Sequence, residues 1–481
     1  MTTEPSNPFA TQGSASPTPA PPKDAGGVAS NGAGTASPEN PMSPNGTGTP
    51  AGNGAVLSPK DAFKKALSQG MPASNLSNAS TSDDSEDSGS NVITFVDNVI
   101  ENAITLGVSD IHIEPYKESA RLRYRRDGVL NEIEEYRDYL FNNYSAIITR
   151  IKILSSLDIS ERRLPQDGAI SFPMPDDFVD LRVSILPTGD GERIVMRIMD
   201  KSSLNMPLDK LGFPEEMMPA IQKAINSPQG MILVTGPTGS GKSTTLYAVL
   251  NALNDPEVNI LTAEDPVEFG VEGIGQVHVK ENIGLTFAAA LRSFLRQDPE
   301  VIMVGEIRDK ETGDISVKAA LTGHLVLSTL HTNSAPSTVT RLLNMGIPNY
   351  LVTSSLILVI AQRLARIICS DCKQVDPQPD QNILKALGFT EEQLQTIKVY
   401  KGAGCETCMH SGSKGRRAIH EVLVITKSVK EAILKNVSDI ELTNIAITND
   451  GFKTMQQRGL ELLLDGTISL GEFQRVLMIE D

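Results

Sequence analysis

The sequence predicts an α/β protein in which a small α+β domain precedes a larger domain built on a parallel sheet. A disordered N-terminal tail and a helical C-terminal region complete the prediction. Two observations support it. Near residue 88 the composition changes from polar and Pro/Gly-rich to periodically apolar. From Leu211 onward, short apolar runs alternate with helical patterns, which is typical of a parallel sheet covered by helices.

The composition sets limits on the function. Hydrophobic residues make up 40% of the 481 residues, which is enough to bury several cores. Aromatic residues account for only 4%, with no Trp, so these cores must be aliphatic. Proteins that bind nucleic acid usually carry a basic track with aromatic platforms. Because the formal net charge is −16 and neither feature is visible, we expect no nucleic-acid partner.

The sequence contains no pattern typical of secretion or of a membrane span. Its start, MTTEPSNPFATQG, lacks the charged beginning and apolar core of a secretory signal. The longest apolar stretch, from Leu351 to Ala361, is interrupted by polar residues and is far shorter than the roughly 20 residues that cross a bilayer. We therefore predict a buried core helix there, and a protein that is soluble or at most peripheral to a membrane.

Residues 1–88 are rich in Pro, Gly, Ser, Thr, Ala and Asn and end in an acidic run. This composition cannot bury enough apolar surface to offset the entropy lost on ordering, so it predicts a disordered tail. The small α+β domain is expected at residues 89–204. Helices are expected near 91–107 and 143–154, and strands near 110–114, 120–125, 179–186 and 193–198.

The larger domain is expected at residues 205–481. Its buried parallel strands are expected at 231–235, 259–263, 301–304 and 325–328, where short apolar runs stand between helical patterns. A lobe that contains the cysteines is expected at 366–416. A helical C-terminal region is expected at 417–481.

The segment Gly236-Pro237-Thr238-Gly239-Ser240-Gly241-Lys242-Ser243 has the spacing of a phosphate-binding loop, and Thr244 continues into a helical pattern. The glycines let successive backbone N–H groups point inward around a β-phosphate. Lys242 brings a positive charge to the β- and γ-phosphates, and the Ser243 hydroxyl can bind Mg²⁺. The helix that follows adds the positive end of its dipole. The sequence therefore predicts binding of ATP with Mg²⁺.

Acidic residues follow two of the predicted strands. Hydrolysis of a bound ATP needs a group that activates the attacking water and a metal ion that neutralises the charge developing on the phosphates. Glu264 and Glu268 follow one strand, and Glu306 follows another, with Gly305 where an NTPase commonly has an Asp. His331 follows a third strand and is a candidate sensor of the γ-phosphate. Taken singly, each carboxylate has an alternative role, as a solvent-exposed loop residue or as a helix cap. The histidine could instead have a purely structural role.

From Ser109 to Leu477 the sequence resembles the secretion ATPase family that includes the type II secretion ATPase and the type IV pilus extension ATPase. The matching motifs occur in the family's order and spacing: SDIHIEP (109–115), RYRRDGVL (123–130), RRLPQDG (162–168), LRVSILPT (181–188), GPTGSGKST (236–244), EDPVEF (264–269), RQDPEVIMVGEIRD (296–309) and TGHLVLSTLHTNSA (322–335). The resemblance implies a PAS-like small domain and a RecA-like P-loop ATPase domain.

The resemblance also implies roles for individual residues. Glu268 matches the family's catalytic glutamate and is expected to activate water. Glu306 matches the glutamate of its atypical Walker B strand, which acts with Mg²⁺. His324 and His331 fall in its histidine box.

Two arginines match those that the family's small domain presents to the nucleotide, Arg182 and Arg197. They would stabilise transition-state charge as arginine fingers do. The alternative is that they are exposed arginines of a strand.

The resemblance further implies a homohexamer in which rotation of the small domain opens and closes successive nucleotide sites. The protein would be cytoplasmic, at the inner face of the cytoplasmic membrane, and would associate with the membrane only through partners. Its partner would be an inner-membrane platform protein of a type IV pilus or a type II secretion machine. The family's folded N-terminal docking domain is not expected in this chain, nor are the repeats through which some relatives bind a cyclic dinucleotide.

The four cysteines form two CxxC pairs, Cys369 with Cys372 and Cys405 with Cys408. Two such pairs can place four thiolates around Zn²⁺ at about 2.3 Å. The insert between them, residues 373–404, is longer than the roughly 15–20 residues of the commonest pattern and contains a helical stretch near 383–397. The secretion ATPase family carries such a site, and four protein ligands would make the zinc structural. The alternatives are redox pairs or free buried thiols.

Two other functions compete with an ATP-driven motor. The first is a nucleic-acid translocase or DNA-transport ATPase on a similar core, which the acidity and the lack of Trp disfavour. The second is a scaffold that binds nucleotide without turnover. The presence of Lys242, Ser243, Glu268 and Glu306 disfavours the scaffold.

Overall fold

The computed structural model of the protein describes residues 87–175, 178–199 and 206–478, with side chains from residue 91 onward. The predicted disordered tail therefore lies outside the described residues up to residue 86. The first helix, α1, spans Asp87–Thr105. It overlaps the helix predicted near 91–107.

Six strands form an antiparallel sheet in the order β3-β2-β1-β6-β5-β4. Their bounds are β1 Asp110–Tyr116, β2 Ser119–Arg126, β3 Val129–Glu132, β4 Gln166–Pro173, β5 Phe178–Thr188 and β6 Gly191–Met199. One face packs against α1 and two further helices, α2 Arg137–Asn142 and α3 Tyr144–Leu154. The strands and helices predicted in this region are confirmed.

The other face of this small sheet carries the arginines. In β5, Leu181, Val183 and Ile185 point into the core, because alternate residues of a strand face opposite sides. Arg182 therefore points to the other face. Arg197 of β6 is its direct partner in the strand register. The register thus places both arginines side by side, away from the helices.

The larger sheet has seven strands in the order β15-β12-β7-β11-β10-β8-β9. All neighbours pair in parallel except β15, which runs antiparallel to β12 at one edge. The bounds are β7 Gly230–Thr235, β8 Ile260–Glu264, β9 Ile274–His278, β10 Val301–Val304, β11 Leu325–Leu330, β12 Leu356–Ile368 and β15 Ser413–Val424. The four parallel strands predicted from apolar runs are confirmed.

Helices cover both faces of the large sheet, and each face has its own aliphatic core. The helices are α4 Met218–Ile225, α5 Lys242–Leu253, α6 Phe287–Phe294, α7 Lys310–Leu321, α8 Ala335–Asn344 and α9 Asn349–Ser355. Among the described residues, no helix is both long and apolar enough to cross a membrane.

A lobe and a helical region complete the chain. The lobe lies between β12 and β15 and contains β13 Lys373–Val375, α10 Gln381–Ala386, α11 Glu391–Thr396 and β14 Tyr400–Gly402. The last helices are α12 Lys427–Leu434, α13 Asp439–Asp450, α14 Met455–Leu464 and α15 Leu470–Leu477.

The prediction of one core helix from Leu351 to Ala361 is wrong. Helix α9 ends at Ser355, and β12 begins at Leu356. A strand buried on both faces is apolar at every position, so its pattern resembles that of a buried helix. The first part of β12 is such a strand, because five of the six residues from Leu356 to Ala361 are buried.

The predicted helical region 417–481 also needs correction, because residues 417–424 belong to β15. Their backbone pairs with β12 from Arg417 opposite Ala365 to Val424 opposite Leu358. The main sheet is therefore mixed, with an antiparallel strand at its edge. The helices begin only at Lys427.

The turn between β2 and β3 contacts the lobe. Asp127, whose φ is 50°, and Gly128 form this turn. Asp127 Oδ2 accepts a hydrogen bond from the Gly415 N–H at 2.8 Å, and its Oδ1 lies 3.6 Å from Arg416 Nε. Arg126 donates to the Thr407 carbonyl at 3.5 Å. Polar contacts thus join the small sheet to the start of β15.

A buried carboxylate connects β15 to two helices. Glu421 is 3% exposed. One of its oxygens accepts the Ala335 N–H at the start of α8, and the other accepts the Met455 N–H at the start of α14, both at 2.6 Å. Because first-turn N–H groups have no partner within their own helix, the carboxylate supplies one for each helix.

We predict that Glu421→Gln lowers the free energy of unfolding by about 1–3 kcal/mol, because an amide nitrogen cannot accept and one buried N–H loses its partner. Thermal melting of the full chain measures the effect. The matched control is Glu431→Gln, at an exposed position of α12. Equal melting temperatures for the two variants would contradict the assigned role of Glu421.

Candidate functional site

The predicted phosphate loop lies between the end of β7 and the start of α5, as its sequence requires. Helix α5 begins at Lys242, directly after Gly241, whose φ is 91°. Gly236 has a φ of 145°, and a Cβ there would lie 2.3 Å from the Gln362 carbonyl oxygen. Only glycine fits such a position. The loop therefore has the tight backbone path that lets its N–H groups converge on an anion.

Lys242 is held against the loop itself. Its ammonium donates to the carbonyls of Gly236 at 2.9 Å and Pro237 at 3.1 Å. Burial lowers the pKa of Lys242 below its ordinary value, and the nearby Glu306 offsets only part of this effect. The ammonium is thus fixed at the mouth of the loop.

A cavity of about 300 Å³ opens beside the loop, at the carboxyl ends of β7, β8, β10 and β11. Parallel strands bring their carboxyl ends to the same edge of a sheet, so residues distant in sequence meet there. The cavity is lined by Thr238, Lys242, Ser243, Leu246, Tyr247, Glu264, Asp265, Pro266, Glu268, Phe287, Met303, Gly305, Glu306, Thr329 and His331. It brings together the loop, both predicted glutamates and His331.

Glu306 lies against an arginine and a histidine. The Arg308 guanidinium forms an ion pair with Glu306, and His331 Nε2 lies 3.5 Å from its other oxygen. The hydrogen bond from Arg308 holds the pKa of Glu306 below its ordinary value. Arg308 also lies 3.4 Å from Asp265. Glu306 is therefore an anion at neutral pH, oriented at the edge of the cavity that carries Ser243.

Glu268 forms an ion pair with an arginine of the small sheet. Arg182 Nη2 lies 3.0 Å from Glu268 Oε2 and donates to the Val267 carbonyl at 3.4 Å. Both side chains are about one-third exposed, at 40% for Arg182 and 32% for Glu268. Strand β5 thus brings a positive charge to the acidic segment that follows β8.

Arg197 has a different partner. Its Nε donates to Asp110 Oδ1 at 2.9 Å, and it is not among the residues that line the cavity. Of the two predicted arginines, the structure places only Arg182 against a predicted site residue. His324 is also remote, because it precedes β11 at the opposite end of that strand and its Nδ1 lies 2.9 Å from the Ala319 carbonyl oxygen.

Sequence reasoning did not single out the buried partner network of Glu264. This carboxylate is 5% exposed and accepts hydrogen bonds from Tyr247 Oη and Thr262 Oγ1, both at 2.6 Å. Gln276 Nε2 donates to it at 3.1 Å. Burial, together with Glu264, raises the pKa of Tyr247, so its phenol remains a donor. The one signal in the sequence was the position of Glu264 at the very end of a buried strand.

A second cavity, of about 490 Å³, lies where the phosphate loop and helix α5 face β12 and β15. Its lining combines Gly241, Thr244 and Thr245 with residues of the β2–β3 turn, the segment before α4, β12 and β15: Asp127, Met206, Lys210, Leu211, Gly212, Gln362, Leu364, Ile367, Arg416, Arg417, Ala418 and His420. His420 stacks on Phe213 with ring centroids 4.0 Å apart, and burial lowers its pKa to about 3. The lining of the cavity therefore combines a neutral imidazole with the basic side chains of Lys210, Arg416 and Arg417.

The four cysteines meet in the lobe. Their sulfur atoms lie within 4.8 Å of one another, with separations of 3.7 Å for Cys405–Cys408, 3.8 Å for Cys369–Cys405 and 3.9 Å for Cys372–Cys408. A tetrahedron with metal–sulfur bonds of about 2.3 Å has edges of about 3.8 Å. None of the four forms a disulfide. The arrangement fits a tetrahedral zinc ion.

Known proteins share this fold and these motifs. A family model described as type II/IV secretion system protein matches residues 85–475. The type IV pilus assembly ATPase PilB of Myxococcus xanthus is 50% identical over 79% of this chain and 67% of its own length. The type II secretion system ATPase E of Vibrio cholerae is 44% identical over 80% of this chain and 75% of its own length.

Solved structures agree at the level of the fold. The pilus retraction motor PilT, described with bound ADP, superposes with a TM-score of 0.53 at 25% identity, covering 79% of this chain and 96% of that one. The Legionella pneumophila ATPase DotB gives 0.59 at 24% identity, with coverages of 79% and 95%. The pilus assembly ATPases of Myxococcus xanthus, Acinetobacter baylyi and Pseudomonas aeruginosa are matched over 66–67% of their length, and that of Thermus thermophilus over 42%. The chain belongs to the type II/IV secretion system protein family.

Proposed function

We propose that the protein is a Mg-ATP-hydrolysing motor that powers assembly of a type IV pilus or of a type II secretion pseudopilus. One observation carries the proposal: the cavity in which Lys242 and Ser243 of the phosphate loop face Glu268 and Glu306. Relatives at 44–50% identity are named as ATPases of these two machines.

The residues fit ATP and Mg²⁺. The loop amides and Lys242 would hold the β- and γ-phosphates, while the Ser243 hydroxyl and Glu306 would hold Mg²⁺ directly or through water. The second cavity, adjacent to Gly241 and Thr244, would take the nucleoside, since it continues along the loop and combines a neutral imidazole with basic side chains. Bound Mg²⁺ would neutralise charge on the transferring phosphoryl group.

Glu268 is the proposed general base. Its carboxylate would orient a water molecule and accept its proton while the water attacks the γ-phosphate. In the present arrangement Arg182 neutralises this carboxylate. A small movement of the small sheet would free Glu268 and carry the guanidinium towards the phosphates, where it would stabilise transition-state charge. His331 Nε2 lies 3.5 Å from the Glu306 carboxylate, and through Glu306 it would sense the γ-phosphate.

We further propose that the motor is a homohexamer at the inner face of the cytoplasmic membrane and that it acts on an inner-membrane platform protein. The small sheet supplies a charged side chain to Glu268, which lines the proposed nucleotide cavity. Movement between the two parts of the chain would therefore accompany each hydrolysis cycle. The cysteine cluster would hold a structural zinc ion that closes the lobe between β12 and β15.

We predict that Lys242→Ala and Glu268→Gln each lower ATP turnover by about 10²-fold or more, through different steps. Lys242→Ala removes a charge that binds phosphate, so ADP affinity should fall as well. Glu268→Gln keeps the shape but not the base, so ADP affinity should be retained. Phosphate release by the purified oligomer measures turnover. Unchanged rates in both variants would refute the assignment.

Arg182→Ala and Arg197→Ala form a matched pair, because they stand opposite each other on one face of the sheet. We predict that Arg182→Ala lowers kcat by about tenfold or more, as loss of an arginine finger does. Arg197→Ala should have a smaller effect, because its partner is Asp110. Steady-state kinetics decides, and a larger loss for Arg197→Ala would reverse the roles proposed for the two arginines.

We predict about one zinc ion per chain in protein purified without chelator, because the four sulfurs already stand at tetrahedral spacing. Replacing Cys405 and Cys408 by Ser should release the metal and lower the melting temperature, since each chain loses a cross-link between the two cysteine pairs. Elemental analysis measures the content. Zinc-free, fully stable wild-type protein would contradict the site.

A further inference from the structure

Gln362 of β12 is buried beside the phosphate loop and lines the second cavity, but no step of the proposed mechanism is assigned to it. Its side chain is 1% exposed. Nε2 donates to the Ser240 carbonyl at 2.8 Å, and Oε1 accepts from Thr245 Oγ1, also at 2.8 Å. A carbonyl can only accept, so the amide cannot flip without losing the bond to Ser240. Both ends of this side chain are therefore fixed to the loop and its helix.

The bond to Ser240 has a consequence for the next residue. In a planar trans peptide, the carbonyl and the following N–H point in opposite directions. Because Gln362 holds the Ser240 carbonyl towards β12, the Gly241 N–H points away from β12, into the hollow of the loop. Backbone N–H groups in that hollow are the donors that such a loop offers to phosphate oxygens.

The fit between Gln362 and the loop is close on two further sides. A Cβ at Gly236 would lie 2.3 Å from the Gln362 carbonyl oxygen, and one at Gly241 would lie 3.1 Å from Nε2. The backbone next to Gln362 is fixed as well, because Ala361 pairs with Thr235 in the main sheet. The phosphate loop therefore packs against Gln362, and the pairing of β12 with β7, the strand that leads into the loop, fixes the position of Gln362.

We propose that Gln362 is a positioning residue that presets the Ser240–Gly241 peptide for phosphate binding. This inference rests on the proposed function, because it concerns the same nucleotide site. A purely structural role, in which the amide only satisfies buried polar groups, predicts a different outcome. Replacing Gln362 would then lower the stability of the nucleotide-free protein and leave its preference for phosphates unchanged.

The test is Gln362→Met, which keeps the volume and removes both hydrogen bonds. The matched control is Gln222→Met, on the exposed side of α4. Binding of a fluorescent ADP analogue to the full chain should weaken by about ten- to hundredfold, the usual cost of disturbing a hydrogen bond to a charged group. KM for ATP should rise in parallel, with kcat changed less. The nucleotide-free melting temperature should fall below that of the control, because the Ser240 carbonyl and the Thr245 hydroxyl lose a buried partner, so the loss of ADP affinity is the deciding readout.

Gln362→Met with ADP affinity within about twofold of the control overturns the proposal, and so does a loss of stability without a change in affinity. If this variant does not fold, Thr245→Val decides, because it releases only the far end of the amide. A several-fold loss of ADP affinity then supports the proposal, and unchanged affinity overturns it. Wild-type protein that binds no ADP would instead refute the proposed function itself.

Discussion

The parallel pairing of β7 with β11, of β11 with β10 and of β10 with β8 is the constraint on which the candidate site depends. It brings the carboxyl ends of four strands to one edge, so the phosphate loop, Glu264, Glu306 and His331 meet although they are far apart in sequence. Backbone hydrogen bonds fix this edge, whereas the side chains above it carry the charges. The chemistry can therefore be precise while the surrounding domain moves.

Charge pairing connects the small sheet to this edge. Arg182 compensates Glu268, and Asp127 accepts from the backbone at the start of β15, the strand that lines the second cavity. Both contacts involve partly exposed polar groups rather than a shared apolar core, and such contacts break at modest cost. The structure thus joins the hydrogen-bonded large sheet to the small sheet through polar contacts that separate at modest cost.

The sequence predicted the elements whose chemistry is local. The phosphate loop, the strands of 4–5 residues before the acidic segments and the two CxxC pairs all have short signatures. It failed at β12, where an apolar run on a strand buried on both faces resembles a helix, and at β15, whose place depends on pairing with β12. It also missed Gln362 and the network around Glu264, because buried hydrogen-bond partners are set by tertiary packing and leave no periodic pattern.

The central claim is that the loop and the acidic residues form one site for a magnesium nucleotide. Calorimetric titration of the full chain with ADP, with and without Mg²⁺, tests it most directly. We expect saturable uptake that tightens when Mg²⁺ is present, because Ser243 and Glu306 face the same cavity. Folded protein that takes up no adenine nucleotide under either condition would contradict the claim.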